Sequence, residues 1–213
     1  MTGEAAEAAQ PRFYLVRHGE TEWSVSGRHT GRTDIPLTAA GEDEAGALAP
    51  WLAGVRFTAV FTSPRQRARL TCEWAGLAGG ARIEPDLAEW DYGAYEGRRS
   101  ADITRERPGW SLFRDGCPGG ESPDDVGARA GRLVARLRGL KGSVALFSHG
   151  QFIAALAARW IGLAVPEAEH LALSTGALCI LETSARHPGL PVISLWNAVP
   201  AMLATSRAPP PPR

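Results

Sequence analysis

Two histidines stand out as groups that could do chemistry. His18 lies in Arg17-His18-Gly19-Glu20 and His149 in His149-Gly150, and each pair directly follows an apolar run. A histidine is a competent nucleophile when one ring nitrogen is held by a hydrogen bond and the other faces a substrate. Arg17 adds a planar fork of donors that matches phosphate, and Gly19 allows close backbone approach. One such string is weak evidence, because loop histidines without chemistry are common. A second apolar run ending in the same pair is stronger: two histidines and an arginine could surround one phosphoryl group. A further basic segment, SPRQRARLT, carries Arg65, Arg67 and Arg69. At a helical step of about 100° per residue these three fan out, so one of them is expected to point at a site. The carboxylates on offer are Glu89, Asp91 and Glu96 in LAEWDYGAYEG. A carboxyl packed beside Trp90 and Tyr92 could have a raised pKa and serve as a general acid. Chemistry alone does not choose among the three.

These residues need elements to hold them. Phe13–Val16 reads as a short buried strand stopping in a polar loop. Residues 58–62 (TAVFT) form another, ending at Ser63-Pro64, and residues 144–147 a third, running into His149-Gly150. Arg82-Ile83-Glu84, residues 177–182 and residues 191–196 complete the strand candidates, the last two joined by a Gly/Pro turn. Helices are expected over 38–54, entered at Thr38 and left at Gly54, then over 65–77, 124–140 and 151–161. Residues 85–122 are rich in Gly, Pro, Trp and charge and read as an irregular insertion with short helical pieces. Its part over 90–122 would fold over the site. Alternating strands and helices with uniformly apolar strands predict an α/β fold: a mostly parallel central sheet between two helical layers, an α/β/α sandwich. In such sheets the site lies beyond the carboxyl ends of the strands. Both His-Gly pairs and Ser63-Pro64-Arg65 sit there.

The chain has 213 residues, a size that suits one domain, expected over 12–206. Residues 1–11 and the proline-rich 207–213 read as solvated tails. Lys plus Arg and Asp plus Glu are 23 each, which argues against a nucleic-acid or anionic-membrane binder. No apolar run approaches the ~18 residues of a membrane span. The first residues carry two acids and no apolar stretch, unlike a secretory signal. Cys72, Cys117 and Cys179 are odd in number and widely spaced, against a disulfide framework or a structural zinc site. A cytoplasmic protein is the simplest expectation. Arg129, Arg132, Arg136 and Arg138 could form a basic patch, although a solvated helix face is favoured.

The strings VRHGETEW, HTGRTDIPLTAAG, TSPRQRARLT, LAEWDYGAYEG, GGES and FSHG together resemble the histidine phosphatase superfamily, in its order, over residues 14–150. The superfamily includes cofactor-dependent phosphoglycerate mutases, fructose-2,6-bisphosphatases and broad acid phosphatases. The resemblance implies a phosphoglycerate mutase-like fold and a reaction without a cofactor or metal. It implies His18 as the nucleophile that becomes phosphohistidine, and Arg17, Arg67 and His149 as the rest of the phosphate pocket. It also singles out Glu89 as the acid that protonates the leaving oxygen. Ser24, Thr30, Gly31, Tyr92 and the Gly150 N–H match positions that contact substrate in relatives.

Phosphoglycerate mutases carry an adjacent arginine pair in the insertion. Here the string is Phe113-Arg114-Asp115-Gly116, so the second arginine is replaced by an acid, and Ser24 stands where mutases usually have Asn. These departures favour a phosphatase over a mutase. The strings WDYG and RDGCPGGES resemble the fungal sedoheptulose-1,7-bisphosphatase branch and its actinobacterial acid-phosphatase relatives. The implied partners are a small phosphorylated sugar or polyol and inorganic phosphate. Arg28 and Arg114 are candidates for a second anionic group and His29 for sugar hydroxyls. Trp23, Trp90 and Trp110 could line a sugar pocket or anchor loops. A weakly active regulatory member remains an alternative, disfavoured because every pocket residue is present. The late strands and Leu171-Ala172-Leu173 could make a homodimer edge or simply close the sheet.

Overall fold

The computed structural model describes residues 11–200, so the tail expectations for 1–10 and 207–213 lie outside the described residues. Six strands form one sheet: β1 (Arg12–Arg17), β2 (Phe57–Thr62), β3 (Ala81–Ile83), β4 (Ser143–Ser148), β5 (Leu178–Thr183) and β6 (Pro191–Ala198). Their spatial order is β3-β2-β4-β1-β5-β6. The first four are mutually parallel, while β5 runs antiparallel to both β1 and β6. The helices are α1 (Glu22–Val25), α2 (Ala39–Gly46), α3 (Ala49–Leu52), α4 (Gln66–Trp74), α5 (Ser100–Glu106), α6 (Leu112–Asp115), α7 (Pro123–Leu137) and α8 (Gly150–Trp160).

The period-two alternation of β1, β4 and β5 builds the three layers. Phe13, Leu15, Val144, Leu146, Cys179 and Leu181 point to one side and join a core with α7 and α8. Tyr14, Val16, Ala145, Phe147, Leu178 and Ile180 belong to the opposite core, under α3 and α4. Both faces are covered, which is why these strands are apolar throughout.

The structure departs from the sequence expectations in places with visible causes. The helix expected over 38–54 is two helices. Thr38 caps α2 as anticipated, accepting from the Gly41 N–H, but Pro50 sits in the first turn of α3 and starts a new helix. The four-residue α1, closed by a capping box between Thr21 and Ser24, was not anticipated. The arginine face of α7 is exposed at Arg132, Arg136 and Arg138, as favoured from the sequence, but not at Arg129. Arg129 is buried against Glu121, while Arg132 pairs with Asp86 and Arg136 with Glu84. The 85–122 segment is irregular, with α5, α6 and two 3₁₀ turns, yet it feeds the core through Trp90, Tyr92, Ile103, Leu112 and Phe113.

Candidate active site

Strand register brings the two histidines together. Arg17 of β1 pairs with Ser148 of β4, so His18 and His149 emerge side by side from adjacent parallel strands, with ring centroids 5.2 Å apart. β2 flanks β4 and ends at Thr62 beside Phe147, which delivers Ser63 and α4 to the same edge. Of the three arginines there, Arg67 is fully buried and turned inward, while Arg69 is exposed. Arg65 is part-buried, with an Nε that has no partner.

His18 is buried, and its Nδ1 lies 2.8 Å from the Gly19 carbonyl. That contact assigns the proton to Nδ1 and leaves Nε2 with a free lone pair. Burial, then the charges of Arg67 and Arg17, hold its pKa well below the usual histidine value, so the ring is neutral at physiological pH. Arg17 donates through Nη1 to the Leu173 carbonyl, but its Nε is shielded from solvent and unpartnered. A buried unpaired guanidinium N–H is costly. At the mouth of a pocket it is a donor available to an oxyanion. Gly150 makes this arrangement possible, since a Cβ there would sit 3.2 Å from the Arg17 guanidinium carbon.

Arg67 and His149 are tied into the protein more fully than expected. Arg67 donates from Nε to His149 Nδ1 at 3.1 Å and from its terminal nitrogens to the carbonyls of Thr30, Gly31 and Thr33. His149 Nε2 lies 2.7 Å from Ser63 Oγ, so both its nitrogens are engaged. Burial and the neighbouring cations lower its pKa well below the usual value as well. Ser63 and Thr71, whose Oγ1 accepts the Gly19 N–H at 3.0 Å, support the histidines. The sequence placed Ser63 at the strand end without assigning it this contact.

The structure separates the three carboxylates. Asp91 pairs with Arg32, and Glu96 accepts from the Gly31 and Thr33 N–H groups, fixing the loop that Arg67 also holds. Gly31 is required there: a Cβ would lie 2.5 Å from the Trp90 carbonyl. Glu89 alone is seated at the opening of α8. Its Oε1 accepts from Trp90 N at 2.8 Å and Phe152 N at 2.9 Å, and its Oε2 from Gln151 N at 3.1 Å. Burial raises its pKa, and these N–H groups with Arg67 temper the rise. Oε2, with a single donor, is the oxygen able to carry a proton.

The remaining candidates divide. Tyr92 is buried and stacks on His29 with centroids 4.5 Å apart. His29 faces a cavity of about 380 Å³ that begins at Arg17 and Gly150, and burial lowers its pKa to about 4. Trp110 lines that cavity. Trp90 instead packs edge-on against Phe113, and Arg28 stacks over Trp23. Thr30 reaches the site through its carbonyl on Arg67, while its hydroxyl turns back to Arg28 O. Three further candidates make contacts of their own within the chain. Ser24 spends its N–H and Oγ on the α1 capping box. Arg28 is exposed and faces a separate cavity with Arg98 and Arg99. Arg114 is exposed and paired with Glu169 at 3.1 Å. Arg129, which the sequence left on a solvated face, threads its guanidinium among the carbonyls of Asp86, Ala88 and Glu89 and the Glu121 carboxylate, under the segment carrying Glu89.

Cys72, Cys117 and Cys179 are free and buried, with thiols pushed up to about 12 by burial. Among the described residues no group of three or more His, Cys, Asp or Glu is placed to hold a metal ion, and no helix is long and apolar enough to cross a membrane.

Known proteins resemble this chain in sequence and in fold. The chain is 37% identical over 188 residues to sedoheptulose 1,7-bisphosphatase of Saccharomyces cerevisiae, covering 73% of this chain and 69% of that protein. It is 39% identical over 173 residues to an acid phosphatase of Mycobacterium tuberculosis, covering 79% and 85%. Relatives 36% identical bear the name probable phosphoglycerate mutase. A solved Mycobacterium tuberculosis open reading frame product superposes with a TM-score of 0.82 at 34% identity, covering 89% of this chain and 98% of that one. The fold is therefore phosphoglycerate mutase-like, and with the model of the histidine phosphatase superfamily, branch 1, matching residues 13–198, the chain belongs to that superfamily.

Proposed function

We propose that the protein is a phosphatase that hydrolyses small phosphate monoesters through a phosphohistidine on His18. The observation that carries this reading is the pairing of a neutral buried His18, its Nε2 lone pair free, with an Arg17 Nε that lacks a partner. One group attacks phosphorus and the other takes its oxygens.

His18 Nε2 forms the N–P bond as the ester P–O bond breaks, and protonated Glu89 passes its proton to the departing alcohol oxygen. Glu89, now a carboxylate, takes a proton from water as that water attacks phosphorus. The N–P bond then breaks and inorganic phosphate leaves. Charge on the phosphoryl oxygens is met by Arg17 and Arg67, and such stabilisation by preorganised donors supplies most of the catalysis in phosphoryl transfer. His149 joins if it exchanges its Ser63 contact for the phosphoryl group. The sugar-phosphate and acid phosphatase relatives, named above, support a sugar or polyol ester as substrate.

The mutase reading, which the relatives of that name favour, requires the phosphoenzyme to be retained and returned to a product. Phosphate release from a panel of esters, with His18→Ala as blank, tests the proposal. Release that depends on His18 supports it. Interconversion of phosphoglycerates stimulated by 2,3-bisphosphoglycerate, without net phosphate release, overturns it.

A further inference from the structure

The cavity beyond Arg17 receives whatever the phosphate is attached to, so its walls set what the enzyme accepts. Its volume, about 380 Å³, is within the usual range of small-ligand sites, roughly 300–1,000 Å³. One side carries Ser100, Thr104 and Ser111 beside the neutral His29 ring; their hydroxyls contact His29 Nε2, the Ser100 carbonyl and Glu169, and each oxygen can still accept from a substrate hydroxyl. Another is apolar, built from residues of α6 and of the 171–173 segment. Hydroxyls opposite an apolar wall match a polyol or sugar, with its hydroxylated edges and C–H faces.

The charge on this wall is the informative part. Glu169, outside every motif that identified the family, lines the cavity. Its carboxylate is held by the Ser111 hydroxyl at 2.9 Å and by Arg114 at 3.1 and 3.2 Å. Arg114 is thereby spent. The other insertion arginines are spent too: Arg98 on Glu106, Arg99 and Arg105 on Asp102, and Arg107 on Asp115, all within 3.5 Å. Arg28 faces a different cavity. A second phosphate or a carboxylate on the leaving group would meet a wall on which Glu169 holds Arg114 in an ion pair and each of the other insertion arginines faces a carboxylate, so none is left without a counter-charge for a second anion.

We infer that this chain selects phosphate esters of uncharged, hydroxylated alcohols and rejects those carrying a second anionic group, with Glu169 as the specificity-determining residue. The inference rests on the phosphatase reading above and narrows it. It differs from what the name of the yeast bisphosphatase relative would suggest, because the discriminating contact lies in the 165–173 segment rather than in the shared motifs. Rejection by a placed like charge is a general route to specificity.

Matched pairs test it: glucose 6-phosphate against glucose 1,6-bisphosphate, and glycerol 3-phosphate against 3-phosphoglycerate. The wild-type enzyme is expected to favour the member with a single anionic group in each pair by about tenfold in kcat/KM, the scale of one partly solvated anion left without a cation. Glu169→Gln removes the repulsion and releases Arg114, so the preference should shrink by about the same factor. Adding Arg114→Ala to Glu169→Gln should restore part of it. A wild-type preference for the esters with a second anionic group, or a ratio indifferent to Glu169→Gln, overturns the inference while leaving the phosphatase reading intact. Absence of phosphate release from all four esters overturns the phosphatase reading, and this inference with it.

Discussion

Replacing Glu89 by Gln separates what this carboxyl does chemically from what it does structurally. The side chain keeps its shape, and the amide oxygen can still accept from Trp90 and Phe152, as Oε1 does now. The third contact cannot be kept: where Oε2 accepts the Gln151 N–H at 3.1 Å, the amide presents its own N–H₂ to a donor. One buried N–H is left unsatisfied, at a cost of about 1–3 kcal/mol in stability. The chemical loss is larger, because positioned proton transfer is worth about 10²–10⁴ in rate. That loss depends on the leaving group. An alkyl phosphate departs as a strongly basic alkoxide unless protonated, whereas p-nitrophenolate departs unaided. Because kcat/KM reports the enzyme through its first irreversible step, Glu89→Gln should lower it by about 10²–10⁴ for glycerol 3-phosphate and by less than about tenfold for p-nitrophenyl phosphate. The kcat should fall for both, since both share the hydrolysis of phosphohistidine. Steady-state kinetics on the two esters, with a urea melt to isolate the stability term, measures all of this. Equal losses in kcat/KM on the two esters would refute Glu89 as the acid.

Other outcomes follow from the same geometry. Activity should persist into mildly acidic solution, because His18 stays neutral there, and should decline as pH rises through the raised pKa of Glu89. A kcat/KM profile shows this limb, and Glu89→Gln should flatten it. Stability should behave differently. His18, His149 and His29 are all neutral in the folded protein below the ordinary histidine value of 6.5, so the unfolded chain binds more protons and stability falls as pH drops below about 6.5. Glu89 acts with the opposite sign, binding a proton in the folded state at a pH where the unfolded chain has lost it. Three histidines set an upper bound of about 4 kcal/mol per pH unit, which Glu89 reduces, and the slope is readable from urea midpoints between pH 7.5 and 5.5. Gly150→Ala should shift the Arg17 guanidinium by a few tenths of an ångström and cost less than about tenfold in kcat/KM, measured with p-nitrophenyl phosphate, while the urea melt changes little. Arg129→Ala should cost about 3–5 kcal/mol in the same melt, and Lys should not rescue it, because the planar fork serves several carbonyls and Glu121 at once.

How far the sequence could be read depended on whether a residue's role is local. The apolar runs before His18 and His149 specified parallel neighbours, and the register of Arg17 with Ser148 supplied the convergence. That one of the three arginines is buried was legible in the sequence, but helical geometry separates only Arg67 from Arg69, because Arg65 is the extended N-cap residue of α4. The choice of Glu89 over Asp91 and Glu96 was not available from chemistry, because it depends on which carboxylate reaches the first turn of a helix some sixty residues later. Long-range pairing also hid the rest. Arg114 looks like a free cation until Glu169 is folded against it. The capping role of Ser24 shows only once the turn at Thr21 is formed, and Arg129 looks like surface until its carbonyl partners gather around it.

The central claim is the covalent step on His18. Rapid acid-free quenching of a reaction with ³²P-labelled substrate, followed by denaturation in base and peptide mapping, tests it most directly. An acid-labile, base-stable phosphoryl group on the peptide containing His18, absent from His18→Ala and accumulating in Glu89→Gln, is the predicted result. Phosphate released with no labelled protein at any time, or label on another residue, would contradict it.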